Sequence, residues 1–175
     1  RWMPMDKWDA CAIPVDAEAL TGRVCYGGLD LSSTMDITAF VLVFPPTEED
    51  EPFAVLPYFW IPEENIDLRV RRDHVPYDVW QKQGFLMTTE GNVVHYGFIE
   101  TFIEKLGEKY NIREIAFDRW GAVQMVQNLE GMGFTVIPFG QGFKDMSPPT
   151  KELMKLTLEK KIAHGGHPVM RWMAD

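Results

Sequence analysis
The stretch Arg113-Glu114-Ile115-Ala116-Phe117-Asp118-Arg119-Trp120 decides how the rest of the chain is read. Ile115, Ala116 and Phe117 form a short apolar run of the kind a buried strand needs, and it stops at Asp118. Gly121 then opens a helical pattern. Open α/β sheets gather their ligands at the carboxyl ends of strands, which is where Asp118 falls. A second acid, Asp30, lies near the end of another apolar run, Val24–Leu31. As neighbours these strands would lie about 4.8 Å apart, and two carboxylates at matching heights can share divalent metal ions. That is the beginning of a metal-dependent nuclease site. An Asp at a strand end also caps a following helix or turn, so each acid taken alone carries both readings.

Composition bounds the alternatives. A chain of 175 residues suits one domain, and 46% hydrophobic residues supply a core. Six Trp and eleven Phe argue against disorder. The net charge of −9 and pI near 4.9 argue against a broad nucleic-acid-binding face, because backbone binding relies on Lys and Arg, but leave space for a local basic track around an acidic metal site. An acidic pocket repels phosphate until cations fill it, so any nucleic-acid chemistry here depends on metal. Cys11 and Cys25 have no CxxC spacing and read as reduced thiols of a cytosolic-type compartment. No apolar run is long enough for a membrane span, and no signal-peptide pattern occurs. The first residue is Arg, in keeping with a piece of something longer, and no P-loop motif is present.

Residues 1–22, with Trp2, Pro4, Trp8 and Pro14, show no period and read as an extended arm or linker. Residues 23–175 read as the domain. Its first strand is Val24–Leu31, where Gly27 and Gly28 suggest a bulge or a close backbone approach. Ile37–Phe44 and Phe53–Ile61 are the next strands, with Pro57 at an edge or bulge. Short connections make these three an antiparallel meander. Pro62–Gly84 reads as an insertion of short helices, and Leu86–Thr89 as a short extended piece. Phe98, Ile99, Phe102, Ile103, Leu106 and Tyr110 recur at helical spacing. The strand to Asp118 follows, then a helix from about Ala122 to Glu130 and a strand Thr135–Phe139. Pro148-Pro149-Thr150 opens a last helix that ends at His164-Gly165-Gly166, before an apolar tail.

The order is three strands, an insertion, then α, β, α, β, α. The late βαβ units are parallel and right-handed. Three antiparallel strands followed by parallel ones give a mixed five-stranded sheet with helices on both faces. In the simplest arrangement the first and fourth strands are central neighbours, which is the ribonuclease H-like layout. It sets Asp30 beside Asp118.

Several motifs, in order, resemble the nuclease domain of tailed-phage terminase large subunits. They are Gly-Gly-Leu-Asp-Leu-Ser-Ser at 27–33 with Asp-Ile-Thr-Ala-Phe at 36–40, and Gly-Asn-Val-Val at 91–94. Ile-Ala-Phe-Asp-Arg-Trp-Gly-Ala at 115–122 and Gly-Gln-Gly at 140–142 continue the match. Pro-Thr-Lys-Glu-Leu at 149–153 and His-Pro-Val-Met-Arg-Trp at 167–172 complete it. The resemblance implies a DNA-packaging motor in which an N-terminal ATPase domain precedes this endonuclease. It implies cutting of concatemeric double-stranded DNA in the host cell cytoplasm, with two Mg2+ or Mn2+ ions held by Asp30 and Asp118. Portal and small terminase subunit are the implied protein partners, and no membrane is. The family completes its site with a further acid on a later helix. Here the candidates for a third acid or a supporting role are Asp36, Asp175 and His95, the last standing where the family's pattern has an acid.

Phosphodiester hydrolysis needs an attacking water and a stabilised leaving oxygen, which two metals about 3.5–4 Å apart provide. Hard carboxylate oxygens suit Mg2+ or Mn2+. Asp30 is then the shared ligand and Asp118 binds one ion. Asp36 also reads as a turn residue and His95 as a residue near a helix start. Arg119, Gln141 and Lys144 are candidate DNA contacts, with surface charge or a plain turn as the alternatives. His164 and His167 read as a helix-ending turn rather than a zinc pair. Ser32-Ser33 lacks the elbow of a hydrolase triad. Three functions remain open: a metal-dependent endonuclease, a docking module with an incomplete site, and an enzyme acting on small phosphorylated substrates.

Overall fold
Apolar side chains alternate along three consecutive segments, and each is a strand: β1 (Val24–Asp30), β2 (Thr38–Phe44) and β3 (Phe53–Pro62). The alternation is clearest in β2, where Thr38, Phe40, Leu42 and Phe44 are fully buried and the residues between them are not. A strand shows successive side chains to opposite faces, so this pattern commits one face to the core. The computed structural model describes residues 2–31, 37–91, 96–118 and 123–175. Its remaining strands are β4 (Met87–Thr89), β5 (Asn111–Asp118), β6 (Val136–Phe139) and β7 (Ile162–Ala163). The helices are α1 (Met5–Asp9), α2 (Ile66–Asp73), α3 (Tyr77–Lys82), α4 (Tyr96–Lys109), α5 (Val123–Gly131), α6 (Phe143–Leu158) and α7 (Pro168–Ala174).

The sheet order is β4-β3-β2-β1-β5-β6, with β7 also paired to β3. β1, β2 and β3 form an antiparallel meander, and β5 lies parallel to β1 on its other side. The first strand and the Asp118 strand are therefore central neighbours, as a ribonuclease H-like layout requires. The sheet has seven strands among the described residues, two beyond the five read from sequence. β4 and β7 have three and two residues. Segments this short carry no period of their own, and only pairing with β3 makes them strands.

The two faces are covered differently. Ile99, Ile103 and Leu106 of α4 and Met125 and Leu129 of α5 pack on one face, against Phe40, Leu42 and Ile115 among others. On the other face, Phe59 and Ile61 of β3 pack against Val75, Tyr77 and Trp80 of the insertion and Val169 of α7. That second cover lies over the β3 side. Over β1 and β6 the same face carries exposed side chains, Tyr26 and Ile137.

Two segments differ from the sequence reading. Residues 1–22 contain α1 rather than extended chain only, and Met3 and Trp8 are buried against Leu153 and Met154 of α6 and Ala174 of α7. A single turn of helix is too short to show a period. α6 starts at Phe143, one and a half turns before Pro148-Pro149. Proline removes the donors that would reach the carbonyls of residues 144 and 145, but both residues are exposed and water can serve those oxygens. The same helix ends at Leu158, so His164 follows β7 instead of closing a helix.

His164 holds the amino-terminal segment in place. Its ring stacks on Trp8 with centroids 4.3 Å apart. The Gly166 N–H donates to Nδ1 at 3.0 Å, so Nε2 carries the proton and donates to the Trp8 carbonyl at 2.7 Å. Both ring nitrogens are used in this way, leaving neither for a metal. The turn that permits it runs through Gly165 and Gly166, whose φ angles of 70° and 73° suit glycine.

β3 carries β7 on Phe53 and Ala54 and β4 on Trp60–Pro62, along the edge away from β2. Pro57 falls between them. The Phe53 N–H donates outward to the Lys161 carbonyl at 2.9 Å, so residues of the same parity, Pro57 included, face that edge. The missing proline donor therefore costs the β2–β3 ladder nothing.

Candidate active site
Asp30 and Asp118 are brought together by strand register. β1 and β5 pair as Gly27 with Ile115, Gly28 with Ala116 and Leu29 with Phe117. The next residues along are Asp30 and Asp118, side by side at the carboxyl ends of two parallel strands about 4.8 Å apart. A bulge produces this alignment. Cys25 pairs with Ile112 but Tyr26 pairs with Glu114, so Arg113 is an extra residue on β5. Unbroken pairing from Val24 and Asn111 would set Asp30 against Phe117. The bulge sits in the polar pair Arg113-Glu114, both exposed, where the chain has no packing to lose.

The bulge also sets the facing. Leu29 is buried in the core under α4 and α5, and Phe117 packs against the same core. Alternation then turns Asp30 and Asp118 to the opposite face, the one carrying Tyr26 and Ile137. Asp30 is exposed and Asp118 half-buried. Beneath them on that face stand Gly28 and Ala116, one level down. A Cβ built on Gly28 meets nothing within 4 Å. Two hard oxygen donors thus stand above small residues, and carboxylates suit Mg2+ or Mn2+. Ala39 of β2 flanks Asp30, and Phe139 of β6 flanks Asp118.

The other candidates divide into three groups. Asp36, His95 and Arg119 lie outside the described residues, as do Ser32 and Ser33. Asp175 is the C-cap of α7, its N–H bonded to the Arg171 carbonyl at 3.2 Å. Ala174 beside it packs with Met3 and Trp8, and Arg171 forms an ion pair with Asp9 at 2.8 Å, so this helix end belongs to the amino-terminal cluster. Among the described residues no three His, Cys, Asp or Glu side chains converge on one point suited to a metal ion, so Asp175 does not join Asp30 and Asp118 in such a group. Gln141 is exposed between Gly140 and Gly142, directly after β6, and Lys144 is exposed on the first turn of α6. These two share the acid pair's end of the sheet.

His167 stands apart from the acids. Its ring lies against Phe59 and Phe85, with centroids 5.2 and 5.0 Å away. Burial in this apolar setting pushes its pKa down to about 4, so it is neutral in neutral solution. Sequence reading passed over one exposed residue near the acids. Phe143 opens α6 with 87% of its surface exposed. Only the exposure, which needs the fold, brings it to notice.

Comparison with known proteins supplies an independent line. A family model described as the endonuclease domain of the terminase large subunit matches residues 1–174. The terminase large subunit of Enterobacteria phage HK97 is 37% identical over 170 residues, covering 95% of this chain and 32% of that protein. The crystal structure of the HK97 large terminase superposes with a TM-score of 0.86 at 35% identity, covering 98% of this chain and 35% of that one. The large terminase nuclease from thermophilic phage G20c, solved with bound magnesium, shares the fold at a TM-score of 0.60 and 12% identity, covering 97% of this chain and 77% of that one. The chain thus spans about a third of the length of its HK97 relative.

Proposed function
The chain belongs to the family of terminase large subunit endonuclease domains, and on that premise we propose that it cuts double-stranded DNA during viral genome packaging. The observation that carries this reading is the parallel register of β1 and β5, which sets Leu29 against Phe117 with Asp30 and Asp118 next along each strand. Their carboxylates would hold divalent cations, Mg2+ or Mn2+ and two in number, with Asp30 shared between them. Bound cations supply charge neutralisation at the phosphate and an activated water. The chain's own part is positional. Parallel strands fix the two carboxylates at one height, above small residues. An acidic protein of net charge −9 also has little pull on DNA before cations bind, which ties substrate approach to metal.

The wider setting follows from the family. The substrate is concatemeric DNA, cut at the start and end of packaging in the host cell cytoplasm. In the full-length protein an ATPase domain precedes this one, residues 1–22 leading from it as a segment packed on the nuclease domain of residues 23–175. Portal and small terminase subunit complete the motor. No helix among the described residues is long and apolar enough to cross a membrane. A second reading rests on the lack of a third converging acid among the described residues. On that reading the isolated chain is a docking module of the motor whose site is completed from elsewhere.

Nicking of supercoiled plasmid in Mn2+ separates the two. Activity of this chain that Asp30→Ala and Asp118→Asn each abolish, and that chelation stops, supports the nuclease. Cutting that survives Asp118→Asn sinks the site assignment. No cutting, with DNA still bound, favours the docking module.

A further inference from the structure
We propose that Phe143 is a stacking platform for a DNA base beside the acid pair, an inference that rests on the nuclease reading. It is the most exposed of the large apolar side chains described, at 87%. Among the described residues it joins none of the three hydrophobic clusters. Its position is set from the site itself. Phe139 pairs with Asp118 across β5 and β6, and Gly140-Gln141-Gly142 alone separates Phe139 from Phe143.

That connection is braced. Gly140 is buried, and the Asp145 carboxylate fills the space where its side chain would be. The Asp145 and Met146 N–H groups both donate to the Gly142 carbonyl, at 3.2 and 3.0 Å. The Phe143 ring is thus carried on a fixed turn into α6.

The chemistry of the neighbours selects the occupant. Gln141 offers an amide able to pair with a base edge, Phe143 a flat apolar face, and Lys144 a cation for phosphate; all three are exposed. Base edge, base face and phosphate are the three surfaces of a nucleotide. Stacking on an aromatic ring does not depend on phosphate charge, and a chain of net charge −9 has most need of such a contact. A paired base inside a duplex hides its faces. The platform therefore takes an unstacked base, of a single strand or of a frayed duplex.

Binding of fluorescein-labelled, cleavage-resistant single-stranded and duplex oligonucleotides of one sequence, in Mg2+, tests this by anisotropy. Phe143→Ala should weaken single-strand binding by about 5- to 150-fold, with the salt dependence unchanged. Phe143→Tyr should restore it and Phe143→Leu should not, because a leucine is apolar but offers no ring. Lys144→Ala should instead flatten the salt slope, by about 0.7 on a single strand. Unchanged thermal unfolding of the variants excludes a folding effect, as expected for a side chain 87% exposed. Wild-type affinity in Phe143→Ala, or rescue by Phe143→Leu as good as by Phe143→Tyr, would overturn the proposal. So would the absence of any DNA binding, which would remove the nuclease reading with it. Ring-dependent binding without metal-dependent cutting would uphold the platform and refute the nuclease reading alone.

Discussion

Gly27→Ala is the substitution that most directly tests how β1 is packed against β2 and β5. A Cβ at Gly27 would lie 2.9 Å from Cε1 and from Cζ of Phe40, and 3.3 Å from Cγ1 of Ile115. Carbon atoms in a packed core settle at about 3.5–4.0 Å, so the Phe40 ring has to retreat by roughly 0.5–1 Å. It has no free space to enter, since Phe40 and Ile115 are both fully buried. Overpacking of this kind costs about 1–3 kcal/mol. The alanine also stiffens the unfolded chain, which returns about 0.4–1 kcal/mol. The net expectation is a loss of about 0–2.6 kcal/mol. Gly28→Ala is the internal control, one residue on and facing the other way, where an added Cβ meets nothing within 4 Å. There only the chain-entropy gain acts, and stability should rise by about 0.4–1 kcal/mol. In a domain of this size 1 kcal/mol moves Tm by about 2–4 °C. The two variants differ by the overpacking cost alone, so thermal unfolding followed by circular dichroism should separate them by roughly 2–12 °C. Equal midpoints, or Gly28→Ala the less stable of the pair, would show that the packing argument is wrong.

Three other outcomes are expected. The His167 imidazole titrates near 4 when folded and near 6.5 when unfolded, so between those values the unfolded chain binds the extra proton. Its contribution is intact above about pH 6.5 and is lost as the pH falls toward 4, by about 1–2 kcal/mol once solvent access to the half-buried ring is allowed for; His167→Phe should remove that part of the acid decline in Tm, and an unchanged decline would count against it. His164→Ala breaks the stack on Trp8 and both ring hydrogen bonds, and should cost about 2–4 kcal/mol, read as a fall in the urea midpoint; a shift within error of wild type would contradict the anchoring role. Cys11 and Cys25 are fully buried, and burial pushes both thiols up, Cys25 to about 12. A thiol reagent should therefore label them at the rate of unfolding, and rapid labelling of the native chain would show the core to be open.

The central sheet was legible because its strands are long enough to show alternation. β2 buries every second residue, and the run ending at Asp118 is apolar where it crosses the core. The pairing of Asp30 with Asp118 followed from topology. The bulge that makes it work did not, because an extra residue in the polar Arg113-Glu114 pair leaves no trace in the hydrophobic pattern. β4 and β7 exist only through long-range pairing with β3, which no local signal announces. Pro148-Pro149 read as a helix start, yet α6 runs through them, since the carbonyls they leave without partners face water. The exposure of Phe143 is a property of the assembled surface, and nothing in its neighbours' hydrophobicity distinguishes it from a core phenylalanine.

The edge of β3 has a consequence for how densely these molecules can be crowded. An open sheet edge is a template on which another chain can add a strand, and repetition of that step builds fibres. Here β7 and β4 occupy the two ends of the edge, and between them stands Pro57, with no donor to offer an incoming strand. Only a short interval remains, and a cleft of about 330 Å3 at that point is walled by Pro14, Val15, Phe85 and His167. The β3 edge is in this way protected against polymerisation, and copies of the domain held close together can meet there without growing into a shared sheet.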